Sequence, residues 1–255
     1  MNKPESILIT GATGAIGSAL AREYAAPGVQ LILHGRNPVL LDQLAVACRQ
    51  QGARVETCTL DLRDVASVHR WAGHLAATMP PDLLIANAGM NISIGSRGEG
   101  ECWEGSEALL AINLRSTVAL VDGLLPAMRA KGRGQIALIS SLAGYFGLPV
   151  TPSYCASKAA LKAYGEAWRG WLAGENIEVN VVMPGYITSA MCQAMPGPKL
   201  FVWPPQKAAR AIRRGLEKNQ ARISFPFPLN LGTWALAVLP AQLSQFIVRF
   251  MGYHV

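Results

Sequence analysis

The run Thr10-Gly11-Ala12-Thr13-Gly14-Ala15-Ile16-Gly17 joins a short apolar segment to one of helical period, and few folds accommodate that junction. Small residues let the backbone turn sharply from strand into helix and let a ligand approach the main chain. The helix that follows offers unpaired N–H groups and partial positive charge, which together receive a phosphate. The junction predicts a β–turn–α unit that binds a nucleotide.

The rest of the chain repeats the alternation. Aliphatic and β-branched runs at 6–10, 29–33, 54–60, 83–86, 135–140, 178–183 and 221–225 read as strands. Helix-period segments lie between them at 14–26, 39–51, 65–79, 108–130, 154–173 and 204–219. Strands and helices in strict alternation predict an α/β fold: a doubly wound, Rossmann-type, mostly parallel sheet of seven strands with helices on both faces. Residues 1–255 are expected to form one nucleotide-binding and catalytic domain, since nothing up to Gln193 resembles a linker. The segment 95–105, rich in glycine and charge, reads as a mobile surface loop.

Composition narrows the function. Hydrophobic residues make up 51% and charged residues 15%, against a usual charged share of about 25%; a disordered chain is excluded. The net charge of +7 is compatible with an anionic ligand, a nucleic acid or a lipid surface. No basic stripe interleaved with aromatics is present, so no nucleic-acid partner is expected. Cys48, Cys58, Cys102, Cys155 and Cys192 show no metal-ligand spacing, and His34, His69, His74 and His254 form no cluster; no metal is expected. The first strand candidate starts at Ser6, leaving no room for a signal peptide, and the expected compartment is a reducing cytoplasm.

Two further patterns sharpen the nucleotide reading. A dinucleotide site that prefers NAD places a carboxylate at the end of its second strand, against the ribose 2′-hydroxyl. Here the sequence is His34-Gly35-Arg36-Asn37. A guanidinium pairs with a 2′-phosphate through two hydrogen bonds, so Arg36 points to NADP(H); the alternative is a solvated surface arginine. Further on, Tyr154 and Lys158 are spaced i and i+4 at the start of a helix and share a face. A nearby ammonium favours the phenolate, lowering the tyrosine pKa and fitting it for acid–base work on a carbonyl or alcohol oxygen. An exposed pair without function is the competing reading.

With its neighbours, this pair resembles the short-chain dehydrogenase/reductase family over residues 6–191. Tyr154 and Lys158 match the family's Y-x-x-x-K. Ser141 stands thirteen residues before Tyr154, where the family carries its catalytic serine. Asn113 looks like the asparagine that holds a water in the proton relay. Asn87-Ala88-Gly89 resembles the N-A-G that steadies the sheet and approaches the cofactor, Asp61-Leu62 the adenine-side D-L, and Pro184-Gly185 the P-G before a substrate loop at 186–203. The classical branch has T-G-x-x-x-G-x-G; here Gly14 and Ala15 give the spacing of the extended branch, so the turn is a hybrid. Ile187-Thr188-Ser189 stands near the family's I-x-T, with Ser189 at the matching hydroxyl.

The resemblance implies hydride transfer between the nicotinamide and a carbonyl or alcohol carbon. Tyr154 would be the acid/base, Ser141 would hold the substrate oxygen, Lys158 would bind the nicotinamide ribose and lower the tyrosine pKa, and Asn113 would complete the relay. The implied cofactor contacts are Gly11, Thr13, Gly14, Ala15, Ile16, Gly17, Arg36, Asp61, Leu62, Asn87, Ala88, Gly89, Tyr154, Lys158, Pro184, Gly185, Ile187 and Ser189. Ser141, Leu142, Phe146, Leu148, Tyr154 and Tyr186 would meet substrate, within a wall extended by Tyr145, Pro149, Met191, Met195, Phe201 and Trp203. Such a wall leaves a charged substrate unpartnered, so a small apolar or long-chain ketone or alcohol is expected.

An apolar extension follows at 221–255, and 223–248 holds no charged residue although arginines and lysines flank it. Pro226, Pro228 and Pro240 interrupt it, which disfavours one spanning helix. Subunit interface, lid, and peripheral contact with the inner face of a membrane are the open readings. A homodimer or homotetramer is expected. Two other functions compete: a nucleotide-sugar epimerase or dehydratase, suggested by Gly14, and a catalytically silent NADP-binding regulatory protein.

Overall fold

The computed structural model describes residues 4–95 and 98–253. Ser96 and Arg97, inside the loop expected at 95–105, and His254 lie outside the described residues.

Strands β1 (Ser6–Ile9), β2 (Gln30–His34), β3 (Arg54–Cys58), β4 (Leu83–Ala86), β5 (Gly134–Ile139), β6 (Ile177–Pro184) and β7 (Arg222–Phe225) form one seven-stranded sheet in the order 3-2-1-4-5-6-7. Every pairing is parallel. Central strands covered on both faces cannot alternate polar with apolar. Ile7, Leu8, Ile9, Leu31, Ile32, Leu33, Leu83, Leu84 and Ile85 are accordingly all at 2% exposure or less. Each contributes about 1.5–3 kcal/mol by burial. Ile9→Ala, one residue before the turn, would cost about 2–5 kcal/mol.

One face of the sheet packs side chains of α1 (Ala15–Tyr24), α2 (Pro38–Gln50) and α8 (Pro205–Glu217). The other packs α3 (Val65–Thr78) and α5 (Ser116–Lys131). Helix α6 (Pro152–Trp171) follows β5 and leads into β6. The segment 103–131 is long and apolar enough to cross a membrane, but most of it is buried against this core. Because β1 pairs with β2 on one side and β4 on the other, the chain reverses its winding there. That switch point opens a crevice at the carboxyl ends of the strands.

Three regions differ from expectation. Helix α4 (Trp103–Leu110) begins inside the loop expected at 95–105, and a π-turn at Ala111–Arg115 joins it to α5. The substrate loop contains a short helix, α7 (Ala190–Ala194). After β7 the apolar extension folds as two short helices, α9 (Leu229–Val238) and α10 (Ala241–Phe250), parted at Pro240.

Candidate active site

At the switch point the chain encloses a cavity of about 660 Å³. Its floor is the glycine turn. Gly11 has φ +62°, a conformation that side chains disfavour, and its carbonyl accepts the Gly14 N–H at 3.0 Å. A Cβ at position 17 would stand 2.3 Å from that carbonyl, so Gly17 lets α1 sit close on the turn. Gly14 caps α1 without a side-chain hydrogen bond, and no acid stands in the helix's first turn. The first turn of α1 therefore meets neither a capping side chain nor an acid of its own, as an anion site requires.

Asn87 and Thr10 lock this floor to β4. The Asn87 amide donates to the carbonyls of Thr10 (2.9 Å) and Gly11 (3.1 Å), while Thr10 Oγ1 accepts the backbone N–H of Asn87 and of Ala88, each at 3.0 Å. A further tie was not foreseen. His34, 1% exposed, accepts the Gly11 N–H on Nδ1 at 3.3 Å. Its Nε2 therefore carries the proton and donates to the Leu60 carbonyl at 2.8 Å. Burial lowers its pKa, and Arg36 adds to the shift. The β1–β2 register, Ile9 against Leu33, brings His34 to the turn; in the sequence it reads only as one scattered histidine.

Gly11, Thr13, Gly14, Ala15, Ile16, Arg36, Leu62, Asn87, Ala88, Gly89, Pro184, Gly185, Ile187 and Ser189 line the cavity. Gly17, Asp61 and Asn113 do not. Asp61 is exposed, and hydrogen bonds from the Arg63 side chain hold its pKa down to about 2. Among the described residues the lining contains Arg36, Lys158 and His34 but no carboxylate. An uncapped helix start, close-approach glycines and an acid-free lining fit a dinucleotide phosphate chain.

At the other end, α6 presents Tyr154 and Lys158. Its start is pinned by Thr151, wholly buried, whose hydroxyl lies 2.7 Å from the Ile92 carbonyl. Ser141 starts a 3-10 turn, accepts the Ala143 N–H at 3.1 Å, donates to the Pro184 carbonyl at 3.5 Å, and lines the cavity together with Tyr154, whose pKa it acts to lower. Lys158 Nζ donates to the Ile139 carbonyl at 2.8 Å. Burial lowers its pKa to about 8 and raises that of Tyr154 to about 12. The expected lowering of the tyrosine by Lys158 is thus reversed here, because desolvation of the phenol dominates and the ammonium is turned to Ile139.

Asn113, in the π-turn and fully buried, accepts the Met90 N–H at 2.8 Å and donates to the Met90 carbonyl and Ser157 Oγ, both at 3.0 Å. Its side chain ties α4–α5 to α6.

Leu142, Phe146, Leu148, Tyr186, Met191 and Met195 form part of the wall beside Tyr154. Four expected wall residues stand elsewhere. Tyr145 and Pro149 line a neighbouring cavity. Trp203 bridges Ile187 through its backbone and stacks its ring on Phe225 at 5.0 Å, while Phe201, at φ +56°, is exposed. Their places are taken by Leu229, Thr233, Leu236, Val248, Met251 and Tyr253, from the C-terminal helices and tail. Tyr186 hydrogen-bonds with the Tyr253 hydroxyl, which donates to the Pro198 carbonyl at 2.5 Å. That chain pins the substrate loop to the tail.

Comparison with known proteins agrees with this geometry. A short chain dehydrogenase family model matches residues 5–198. An uncharacterized oxidoreductase of Myxococcus xanthus is 30% identical over 243 residues, covering 95% of each chain. An uncharacterized oxidoreductase of Mycobacterium tuberculosis is 32% identical over 250 residues, covering 94% of this chain and 96% of the relative. Among solved structures, a short-chain dehydrogenase from Sphingobium yanoikuyae in complex with NADPH superposes with a TM-score of 0.80 at 26% identity, covering 96% of this chain and 95% of the other.

Proposed function

The chain belongs to the short-chain dehydrogenase/reductase family, and from that premise we propose that it interconverts a ketone and a secondary alcohol with NADP(H), acting on an apolar, lipid-like substrate. The observation that carries the reading is Ser141, Tyr154 and Lys158 together on the lining of one cavity whose far end is an uncapped helix start with no carboxylate among the described lining residues.

NADPH, when bound, supplies the hydride that reduces the carbonyl carbon. The Tyr154 hydroxyl protonates the developing alkoxide, and in the reverse direction its phenolate takes the alcohol proton. The Ser141 hydroxyl holds the substrate oxygen beside Tyr154. Lys158 binds the nicotinamide ribose; turning its ammonium from Ile139 toward the ribose and the phenol is what would lower the tyrosine pKa. The side chain of Asn113 is occupied by Met90 and Ser157, so the relay role falls to its backbone carbonyl. Arg36, exposed at the end of β2 and lining the cavity, pairs with the 2′-phosphate.

The substrate class follows from the wall. Leu142, Phe146, Leu148, Leu236 and Val248 offer no partner for a charge. That weakens the nucleotide-sugar reading, which wants a polar pocket. A screen of ketones of graded chain length, followed by NADPH absorbance, tests the proposal. Turnover that rises with apolar length is expected, and turnover confined to sugar nucleotides would contradict it.

A further inference from the structure

Helix α9 is apolar on both sides, and α10 sets an exposed apolar stripe beside exposed Gln242, Gln245 and Arg249. Inward, Leu229, Thr233 and Leu236 of α9 line the cavity, and Ser244 and Val248 of α10 are buried. Outward, Leu231, Trp234 and Val238 are 46–64% exposed, and Leu243, Phe246 and Phe250 are 45–85% exposed. Both outward sets run i, i+3, i+7, so each helix carries a continuous apolar stripe. Phe227, 76% exposed, stands just before α9. A helix apolar all round is ordinarily buried on all sides; α9 is covered on one. Large exposed apolar surface marks an interaction site.

Charge identifies what covers it. Residues 179–255 hold eight of the 23 lysines and arginines but one acid, Glu217, of the sixteen. Residues 1–178 balance at fifteen of each sign, so the net charge of +7 belongs to this last part of the chain. Arg213 pairs with Glu217 and Arg222 with Glu166, while Arg210, Arg214, Lys218 and Arg249 are exposed. From Lys218 onward no acid interrupts the sequence. A second copy would bring no acid of its own residues 218–255 to meet Arg249, which stands exposed on α10. An anionic bilayer supplies the opposite sign, and short helices broken by proline suit its interface plane.

We propose that the outer face of α9 and α10 docks on an anionic phospholipid bilayer, with Leu231, Trp234, Leu243 and Phe246 in the headgroup–acyl boundary. The inner sides of the same helices roof the cavity, so docking places that roof against the lipid. The inference does not rest on the reductase reading, and its test contains no turnover.

Detergent-free full-length protein is mixed with vesicles of phosphatidylglycerol and phosphatidylcholine in equal parts, or of phosphatidylcholine alone, and sedimented at low and physiological salt. The protein is expected in the pellet with the anionic vesicles, bound about tenfold less to the neutral ones and less tightly as salt rises. Leu231→Glu with Phe246→Glu, both on the outer face, should lower binding about tenfold or more while thermal unfolding stays cooperative. Should that variant fail to fold, acyl-chain-brominated lipid reads the wild type directly: it should quench wild-type emission more than that of Trp234→Phe. Protein that stays in the supernatant with anionic vesicles overturns the proposal, as does equal quenching of wild type and Trp234→Phe. A lipid-free wild-type dimer that the double substitution breaks also overturns it, assigning the face to a second copy.

Discussion

Lys158 holds its Nζ 5.6 Å from the centre of the Tyr154 ring and donates its 2.8 Å hydrogen bond to the Ile139 carbonyl instead. The two side chains share a helix face, as their spacing requires, yet both are buried, and burial moves each toward its neutral form: Tyr154 up to about 12, Lys158 down to about 8. A site poised this way stores its acid–base competence in the direction the ammonium faces.

The buried lysine is a stability statement. Its folded pKa, about 8, lies below the unfolded 10.5, so the unfolded chain binds the proton more readily between those values. Stability therefore rises with pH through that window, and below pH 8 the full penalty, roughly 3 kcal/mol, is present. Lys158→Met, in protein without nucleotide, should have a Tm at pH 7 no lower than wild type, and wild type should gain on it in Tm between pH 7 and 9.5. The difference between the two is the measure, because the buried thiols of Cys48, Cys58, Cys155 and Cys192, raised in pKa by burial, lower the stability of both as pH rises through about 9; a wild type that gains nothing on the variant would contradict the assignment.

His34 supplies a second pH dependence, of the same cause and sign at lower pH. Its pKa is lowered by burial, so the unfolded chain takes the proton first as pH falls below 6.5. Stability is present above that value and lost beneath it. Protonation also removes the Nδ1 acceptor of the Gly11 N–H. NADPH affinity and Tm should both decline from pH 7 to 5.5, and His34→Asn, which keeps an acceptor, should flatten both curves.

Arg36→Ala should weaken NADPH about tenfold to a hundredfold, the loss of one charged hydrogen-bond partner of a phosphate, and leave NADH within about threefold. Fluorescence titration reads both. Equal affinities for the two cofactors in wild type would return Arg36 to a solvated surface residue.

Tyr253→Phe deletes the hydroxyl between Tyr186 and Pro198, leaving both without their partner. A loss of about 1–3 kcal/mol follows, concentrated in the loop and tail. KM for an apolar ketone should rise several-fold with cofactor affinity unchanged. Faster proteolysis of 189–203 should accompany it.

The sheet was legible because strands buried on both faces read as unbroken aliphatic runs: Leu83–Ala86 is as predicted, and the other strands differ at their ends by one or two residues. Helix α9 was not legible, since Leu229–Val238 is apolar on every side and has no period to read. Helix α4 is preceded by Cys102, whose side chain makes no capping hydrogen bond, so no cap residue announces it inside a loop-like stretch. The polar residues that meet at the cavity follow from motif spacing. Leu236 and Val248 do not, being brought to the same wall by a chain reversal at Pro240. Trp203 was misplaced because its backbone bridge to Ile187 turns the ring to Phe225, a pairing between residues far apart in the chain. His34 acts through a backbone amide and a backbone carbonyl, groups that every residue carries and no motif marks.

The central claim is that the Tyr154 hydroxyl moves the proton. Tyr154→Phe removes that hydroxyl from the cavity wall it shares with Ser141 while keeping the ring in place. Single-turnover absorbance with saturating NADPH and an accepted ketone measures the chemical step alone. The account predicts NADPH affinity within about threefold of wild type and a rate lower by about a hundredfold to ten-thousandfold. A rate within about tenfold of wild type would assign the proton to another group and contradict it.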